Sequence, residues 1–481
     1  MLKRYFGPQI HRRVHFFVLA LFIVGVVCSK FLMSMGLLLG VLNLLIEGNF
    51  RSYAQRLREN PLILFVLLFY VLHLFGLMWS SNLDYGLDDI RKKTSLLLIP
   101  IIVGSQPIPS PRAWSRLIQY FVLILVGTAL INFISYHFFA EKLILIDIRD
   151  MSLFGSHIRY GILMGIGLAF CLERIYQGAK YRNGYIFSAI FFLIYSFYSQ
   201  VLSALIAVSI VLIGVLVFIL VLRKQYVILS SSFLLVLISS LGLFYYLSQP
   251  VIYPIPCREK YDEMESAWNQ RSPLNYDSLD KRKQPVASTL ERYLSSKGLC
   301  ANAAGVQKLT REDIRFIQTG FADVHETYGG IQARLLDIRY QLHHATNPSG
   351  HSVLERIEYW KNAWAIIENH YLIGVGTGDV DDAMQEMYNT RSSPLTEERR
   401  LRAHNSYLTY YLTFGIFGFL FFLYFQFKFI IQQWKWKQWI GFLFGIIALV
   451  TFLFEDTLES QMGITMFAFF YAVFSRKLTT Q

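Results

Sequence analysis

Residues 201–222, VLSALIAVSIVLIGVLVFILVL, form a run of 22 residues without a charged side chain. An α-helix needs roughly 17–25 apolar residues to cross a bilayer, so this run predicts a membrane-spanning helix. Runs of similar character occupy 14–28, 61–79 and 117–136. Only 16% of the 481 residues are charged, against roughly 25% in soluble domains. The sequence therefore predicts an all-α polytopic membrane protein.

The apolar runs predict about twelve spans, which start near residues 14, 31, 61, 94, 116, 158, 185, 200, 226, 405, 438 and 461. The first follows a basic N-terminus but lacks a small-residue cleavage site, so we expect it to be retained. One connection is long, which divides the chain into 1–248 with nine spans, a loop domain at 249–403, and 404–481 with three spans. No internal repeat is evident, which disfavours an inverted-repeat transporter.

The distribution of Lys and Arg predicts the orientation of the chain. With a cytoplasmic N-terminus, most basic residues of the short connections lie on the inner side, as the positive-inside trend requires. This orientation also makes the C-terminus cytoplasmic and places 249–403 outside. Charges in that loop domain nearly balance, so the formal net charge of +12 belongs to the inner face and is directed at anionic lipid. A nucleic-acid partner is not expected.

The loop domain contains a predicted amphipathic helix and two of the four cysteines. The helix is indicated by HSVLERIEYWKNAWAIIENH (351–370), in which an apolar stripe recurs at helical spacing. Its members are Val353, Ile357, Trp360, Trp364 and Ile367. Cys257 and Cys300 both fall in the loop domain, where an oxidising compartment would permit a disulfide, but the sequence gives no distance and leaves the pairing open.

A titratable side chain stands at the entry of the next span, in RAHNSYLTYYLTFGIFGFLFFLYF (402–425). On one continuous helix His404, Gly415 and Gly418 would share a face. The glycines would then admit another helix or a lipid-borne substrate, and the imidazole at the outer end could take a proton from an incoming hydroxyl. The alternative is an interfacial histidine beside a helix-packing glycine pair.

His404-Asn405, nine residues, and then Gly415-x-x-Gly418 resembles the signature of the O-antigen ligase and polymerase family of membrane glycosyltransferases. The family is GT-C-like, with about twelve helices and one large helical periplasmic loop that ends at the histidine, and these features are predicted here as well. Ligases often carry two threonines after the second glycine, whereas Phe419 and Leu420 stand in this sequence. The resemblance therefore does not separate ligase from polymerase.

A second part of the family pattern is an arginine four residues before a tryptophan, here Arg356 and Trp360, followed by a glycine-rich turn, here GVGTGD (374–379). The resemblance implies that Arg356 binds the diphosphate of a lipid carrier, and a guanidinium suits phosphate oxygens. A solvated arginine on an amphipathic helix is the alternative. The turn lacks the Lys-Ser/Thr of a nucleotide loop, and we read Asp379 and its acidic neighbours as helix-capping residues rather than a metal site.

Basic residues on the outer side run against the positive-inside trend. Arg91, Lys92 and Lys93 precede the fourth span, and Arg159 lies at the outer start of the sixth. Cations that face inward among membrane helices usually mark a substrate path. Family members often have an arginine in a Ser-Arg pair that opens a later span, where Leu202 stands here. We expect Arg159 to take over that cationic role.

The resemblance implies an O-antigen ligase-type enzyme at the periplasmic face of the bacterial inner membrane. It would move a glycan from undecaprenyl diphosphate to a lipid A-core hydroxyl with inversion, without a metal or other cofactor and among membrane lipids. His404 would be the base, and Arg356 would stabilise the leaving group. The alternatives are an O-antigen polymerase, a protein O-oligosaccharyltransferase and, in another class, a transporter of a lipid-linked substrate. The expected substrate-binding residues are Arg159, Arg91, Lys92, Asn405, Gly415 and Gly418.

Overall fold

The computed structural model describes residues 7–143, 145, 148–250, 261–282, 284–328, 330–343, 348–349 and 351–477. Over these ranges the regular structure is helical, with short 3₁₀ turns and one isolated antiparallel bridge between Leu279 and Pro285. Cys300 is disulfide-bonded, whereas Cys28 and Cys171 are free thiols. Cys257, the partner that the sequence suggested, lies outside the described residues.

The α-helices of the described residues are α1 (Pro8–Cys28), α2 (Lys30–Glu47), α3 (Phe50–Arg58), α4 (Pro61–Gly76), α5 (Leu83–Ser105), α6 (Pro111–Leu143), α7 (His157–Tyr176), α8 (Arg182–Tyr198), α9 (Leu202–Leu222), α10 (Tyr226–Ser248), α11 (Tyr261–Arg271), α12 (Val286–Ser296), α13 (Ala303–Gln307), α14 (Arg311–Gln318), α15 (Gly330–His343), α16 (Ser352–Asn369), α17 (Val380–Thr390), α18 (Ser406–Trp436), α19 (Trp439–Thr451) and α20 (Gln461–Phe474).

Twelve of these helices, α1, α2, α4–α10 and α18–α20, correspond to the predicted spans. Within the described residues, seven are long and apolar enough to cross a membrane by length and composition, and α19 and α20 are shorter apolar helices. The prediction of an all-α polytopic membrane protein is thus confirmed. The start near 94 was wrong, because α5 begins at Leu83 and its first three turns are rich in charged residues that a hydropathy reading leaves out.

The helices α20 and α10 show the two extremes of packing. Every residue of α20 from Met462 to Phe474 is buried, and α20 packs against α5, α1 and α19 in the centre of the bundle. A helix that is apolar on all sides is expected in such a place. In contrast, α10 has no buried residue although it is as apolar, so its surface faces lipid. Arg339 and His343 of α15 hydrogen-bond the carbonyls of Gln249 and Leu247 at its C-terminal end, where cations are favoured.

The long segment between α10 and α18 contains two apolar cores. One forms among α11–α14 around Trp268 and Tyr293. The other joins α16 and α17 to the start of α18, with Tyr359, Tyr388 and Leu412 among its members. The second core fixes α16 beside residues 403–412 and so determines the position of the site described next.

Candidate functional site

His404 lies immediately before α18 rather than on its face. The helix begins at Ser406, and Asn405 is its N-cap, with an amide oxygen that accepts hydrogen bonds from the backbone N–H groups of Tyr407 and Leu408. His404 itself has a φ of 47°, a left-handed conformation that is uncommon outside glycine. The predicted helical face shared by His404 and the two glycines was therefore wrong. Asn405 was expected to bind substrate, but its side-chain oxygen caps the helix.

Gly415 breaks α18 into two parts. Its φ of 64° and ψ of −165° are not helical. The rings of Tyr407 and Phe422, 15 positions apart, lie with centroids 5.7 Å apart, whereas a straight helix would separate the two residues by about 22 Å. Residues 406–414 thus fold back toward 416–425. Gly418 permits this bend, since a Cβ there would lie 2.2 Å from the Cβ of Phe414.

The glycine-rich turn 374–379 binds to this break in α18. The backbone N–H groups of Val375 and Gly376 donate to the carbonyls of Leu412 and Thr413 at 2.9 and 3.0 Å, and the N–H of Ile416 donates to Tyr371. A Cβ on Gly415 would lie 2.1 Å from the Leu372 carbonyl oxygen. Broken helices are tolerated at membrane depth when their freed backbone groups find protein partners. The group that approaches Gly415 is thus the chain's own backbone. The contacts of Gly415 and Gly418 therefore assign both glycines to the bend in α18 rather than to substrate binding.

Asp379 stands at the N-cap position of α17, but its side chain binds the residues that precede α5. Its carboxylate accepts the backbone N–H groups of Ser81 and Asn82, at 2.8 and 2.7 Å, just before α5, and makes no side-chain cap on α17. Asp382 accepts from the Asn82 side chain at 2.8 Å. These bonds attach the glycine-rich turn to the start of α5. Both carboxylates are thus engaged in structural contacts.

The imidazole of His404 is half-buried beside the Tyr359 ring, at 5.7 Å between centroids. Burial, and after it the Arg356 guanidinium, lowers the pKa of His404 to about 4, so the ring is neutral at neutral pH. Its Nδ1 is buried and has no hydrogen-bond partner among the described residues. A substrate group can therefore reach the ring only through Nε2. A neutral imidazole whose Nδ1 has no hydrogen-bond partner among the described residues is suited to accept a proton at Nε2.

Arg356 and Arg159 both reach the connection between α19 and α20. The Nε of Arg356 lies 3.4 Å from the Phe454 carbonyl oxygen, and its Nη1 donates to the Ser352 carbonyl at 2.8 Å. The Nη2 of Arg159 lies 3.9 Å from the Glu455 carboxylate, and the buried Nε of Arg159 has no partner among the described residues. Two guanidiniums thus converge on residues 454–455, and their contacts with those two residues are long, at 3.4 and 3.9 Å. The structure places Arg356 beside His404, and it brings Arg356 and Arg159 to the same pair of residues.

Glu455 is a member of this cluster that sequence reasoning missed. Its side chain is only 7% exposed. Burial raises the pKa of the Glu455 carboxyl and Arg159 opposes this, while Asp456 raises the pKa and Arg356 lowers it. The signal in the sequence was the acidic pair Glu455-Asp456 in the short connection before the last predicted span. Glu455 provides a negative charge where the two guanidiniums meet.

A buried ionic network supports the segment that carries His404. Lys93 is 1% exposed, and its Nζ lies 2.6 Å from both Asp89 oxygens and 2.7 Å from Oε2 of Glu459. The same Glu459 oxygen accepts Nη1 of Arg402 at 2.9 Å, and the other accepts the Tyr410 hydroxyl at 3.0 Å. The network thus links α5, the residue two positions before His404, α18 and the turn before α20. Sequence reasoning identified Lys93 only as one of three cations on the outer side, and it missed Arg402 and Glu459.

Arg91 and Lys92 are not brought to this cluster. Both pair with Asp88 on their own helix, at 2.5 and 2.7 Å, and their side chains are 79% and 43% exposed. The expectation that these two cations line a substrate path is therefore not supported by their contacts. The cation of this stretch that turns inward is Lys93.

Removing the buried cation is expected to destabilise the fold strongly. Lys93→Met leaves Asp89 and Glu459 buried without their shared partner, and breaking a buried ion pair from one side costs about 3–5 kcal/mol. We expect thermal unfolding of the purified protein in nanodiscs to show a clearly lower Tm. Arg91→Met on the same helix is the matched control and should unfold like the wild type. Equal melting of both variants would show that the network does not stabilise the fold.

Comparison with known proteins agrees with this geometry. Residues 187–423 match the model of a family described as O-antigen ligase. The match includes Arg356, His404 and both glycines of α18, whereas Arg159 and Glu455 lie outside it. Among curated proteins there is no significant match. The match over 187–423 thus supports the assignment of the chain to the O-antigen ligase and polymerase family, whose members are membrane glycosyltransferase-like enzymes.

Proposed function

We propose that the protein transfers a glycan from undecaprenyl diphosphate to a sugar hydroxyl of the lipid A core at the periplasmic face of the inner membrane. The observation that carries the proposal is the neutral imidazole of His404 beside the converging guanidiniums of Arg356 and Arg159. A base for the acceptor and cations for the leaving group are the two requirements of such a displacement. Both substrates are anchored in lipid, which suits a site carried by membrane helices.

In the proposed reaction the acceptor hydroxyl gives its proton to Nε2 of His404 as its oxygen attacks the anomeric carbon. The bond from that carbon to the diphosphate oxygen breaks, and its electron pair stays on the diphosphate. Arg356 and Arg159 stabilise the charge that develops there. A single displacement inverts the configuration at the anomeric carbon. No metal enters this scheme.

Binding of the donor would also activate the base. Arg356 lowers the pKa of His404 in the free protein, and a diphosphate bound to Arg356 would offset that positive charge. The pKa of the imidazole would then rise toward the working pH, where a general base is most effective. Proton transfer would thus be favoured only once the donor is in place.

Glu455 lies where the donor diphosphate is proposed to bind, so we expect it to compete. Glu455→Gln removes a negative charge between Arg159 and Arg356 and should lower the donor KM by about tenfold, or roughly 1.4 kcal/mol, with kcat retained. In the wild type the donor KM should fall as pH falls through the raised pKa of Glu455, because the protonated carboxyl no longer competes. In Glu455→Gln the donor KM should not change over that range. Steady-state kinetics on purified protein measures both effects.

The exposed Glu397→Gln, in the same outer segment, is the control and should leave the donor KM unchanged. A fall in kcat for Glu455→Gln with an unchanged donor KM would contradict competition and would assign Glu455 to the proton transfer instead.

The second candidate function is polymerisation of carrier-linked repeat units, which is favoured by Phe419 and Leu420 in place of the ligase threonines. A strain that lacks the gene, complemented with wild type or with His404→Asn, separates the two. Loss of all long glycan from lipid A, with accumulation of carrier-linked polymer, supports ligation. Lipid A capped by single units supports polymerisation. A normal lipopolysaccharide pattern with His404→Asn would contradict both.

A further inference from the structure

An open groove with a volume of about 570 Å³ runs along α16, next to the segment that carries His404. Its apolar part includes Trp360 and Trp364 of α16 and Leu408 of α18. The sequence placed both tryptophans on one apolar stripe, yet Trp364 is 50% exposed, because α16 buries the neighbouring face with Tyr359 and Ile366 instead. The Trp364 ring packs edge-on against Tyr411, 6.4 Å between centroids. The groove thus has an aromatic surface that is held in place and uncovered.

The rim of the groove is charged. It includes Lys361, Glu368 and Arg391. Glu368 and Arg391 form no ion pair or side-chain hydrogen bond with another described residue, and Lys361 has only a 3.7 Å contact with Glu358 while 60% of its side chain is exposed. An acyl chain bound here would displace water from these charged side chains and would offer them no hydrogen bonds in return, which is unfavourable. The occupant that fits therefore has apolar faces and a polar, hydrogen-bonding edge.

The groove lies next to the segment that carries His404. The indole N–H of Trp360 donates to the carbonyl of Ala403, the residue before His404, at 3.0 Å. Leu408, on the first turn of α18, lines the groove as well. The guanidiniums of Arg356 and Arg159 instead reach residues 454–455. A ligand in the groove would therefore approach the imidazole from α16, while the cations would hold the diphosphate at the α19–α20 connection.

We propose that this groove binds the acceptor saccharide, with the C–H face of one sugar ring stacked on Trp364 and its hydroxyls on Glu368 and Arg391. A pyranose ring has the required chemistry, an apolar face and a hydroxylated edge, and binding sites commonly combine aromatic walls with a few polar groups. The inference rests on the proposed transfer reaction and adds to it the place of the acceptor. Trp364 is thus a residue for acceptor binding and not for the chemical step.

The test measures binding of core oligosaccharide, freed of lipid by mild acid, to the full-length protein in nanodiscs by saturation-transfer NMR. No donor is present, so no reaction occurs. Trp364→Ala should weaken binding by about tenfold or more, the usual size of an aromatic anchor, whereas Trp364→Phe should keep most of it. In transfer assays Trp364→Ala should raise the acceptor KM and leave the donor KM and the kcat at saturating acceptor unchanged. Arg391→Met, outside the helices, should also weaken binding.

Trp434→Ala, at the far end of α18 and 48% exposed, is the matched control and should bind like the wild type. Wild-type binding by Trp364→Ala, equal loss in both tryptophan variants, or no binding by the wild type would each overturn the proposal. The result of this binding test can be interpreted independently of whether the proposed transfer reaction is correct. Full activity of His404→Asn would end the proposed chemistry without affecting the binding data, and wild-type binding by Trp364→Ala would end the groove proposal without affecting the chemistry.

Discussion

His404→Ala is expected to lower the rate of glycan transfer by about 10²–10⁴-fold, the usual contribution of a general base. The neutral imidazole, with no partner on its buried Nδ1 among the described residues, is the group at the site that can take the acceptor proton. The acceptor and donor KM should change little, because the defect lies in the chemical step. The measurement is single-turnover transfer by purified protein with a carrier-linked glycan and a defined acceptor.

Two further variants distinguish a defect in catalysis from a defect in folding. The positive φ of His404 disfavours alanine, so His404→Asn, which tolerates the left-handed conformation but has no basic nitrogen, should be as inactive and well folded. His370→Ala is the matched control, since His370 is exposed at the C-terminal end of α16, and should transfer normally. Transfer at the wild-type rate by His404→Asn would remove the histidine from the mechanism.

Replacing either guanidinium with an ammonium is expected to impair transfer severely. Arg356→Lys and Arg159→Lys each keep the charge but lose the planar set of donors that matches phosphate oxygens. We expect a loss of about 10²–10³-fold in kcat, comparable to removing one preorganised donor from a site where charge develops. The defect should be larger with a poor leaving group, and rate measurements with carriers of different leaving-group basicity would show this.

Arg315→Lys on the exposed face of α14 is the control and should have no effect. Arg159 lies outside the family match, whereas Arg356 lies inside it. If Arg159→Lys and Arg159→Ala both transfer at the wild-type rate while Arg356→Lys fails, the diphosphate is held by Arg356 without Arg159.

Much of the architecture was predictable from the sequence. Eleven of the twelve predicted spans begin within six residues of a helix, since a chain that enters lipid must satisfy its backbone within each segment and helices are the local way to do so. His404 and Arg356, 48 positions apart, were identified from their resemblance to family motifs. The structure places the Arg356 guanidinium close enough to shift the pKa of the imidazole.

The sequence by itself determined which long apolar segments are helices and which side chains can titrate, because these follow from local composition and spacing. Only the tertiary structure decided which of three adjacent cations, Arg91, Lys92 and Lys93, turns inward. Successive residues on a helix point about 100° apart, and the choice depends on Glu459, 366 positions away. The break at Gly415 was decided in the same way, by the carbonyl of Leu372 and the N–H groups of a distant turn. A local pattern cannot specify a partner that only long-range packing brings into contact.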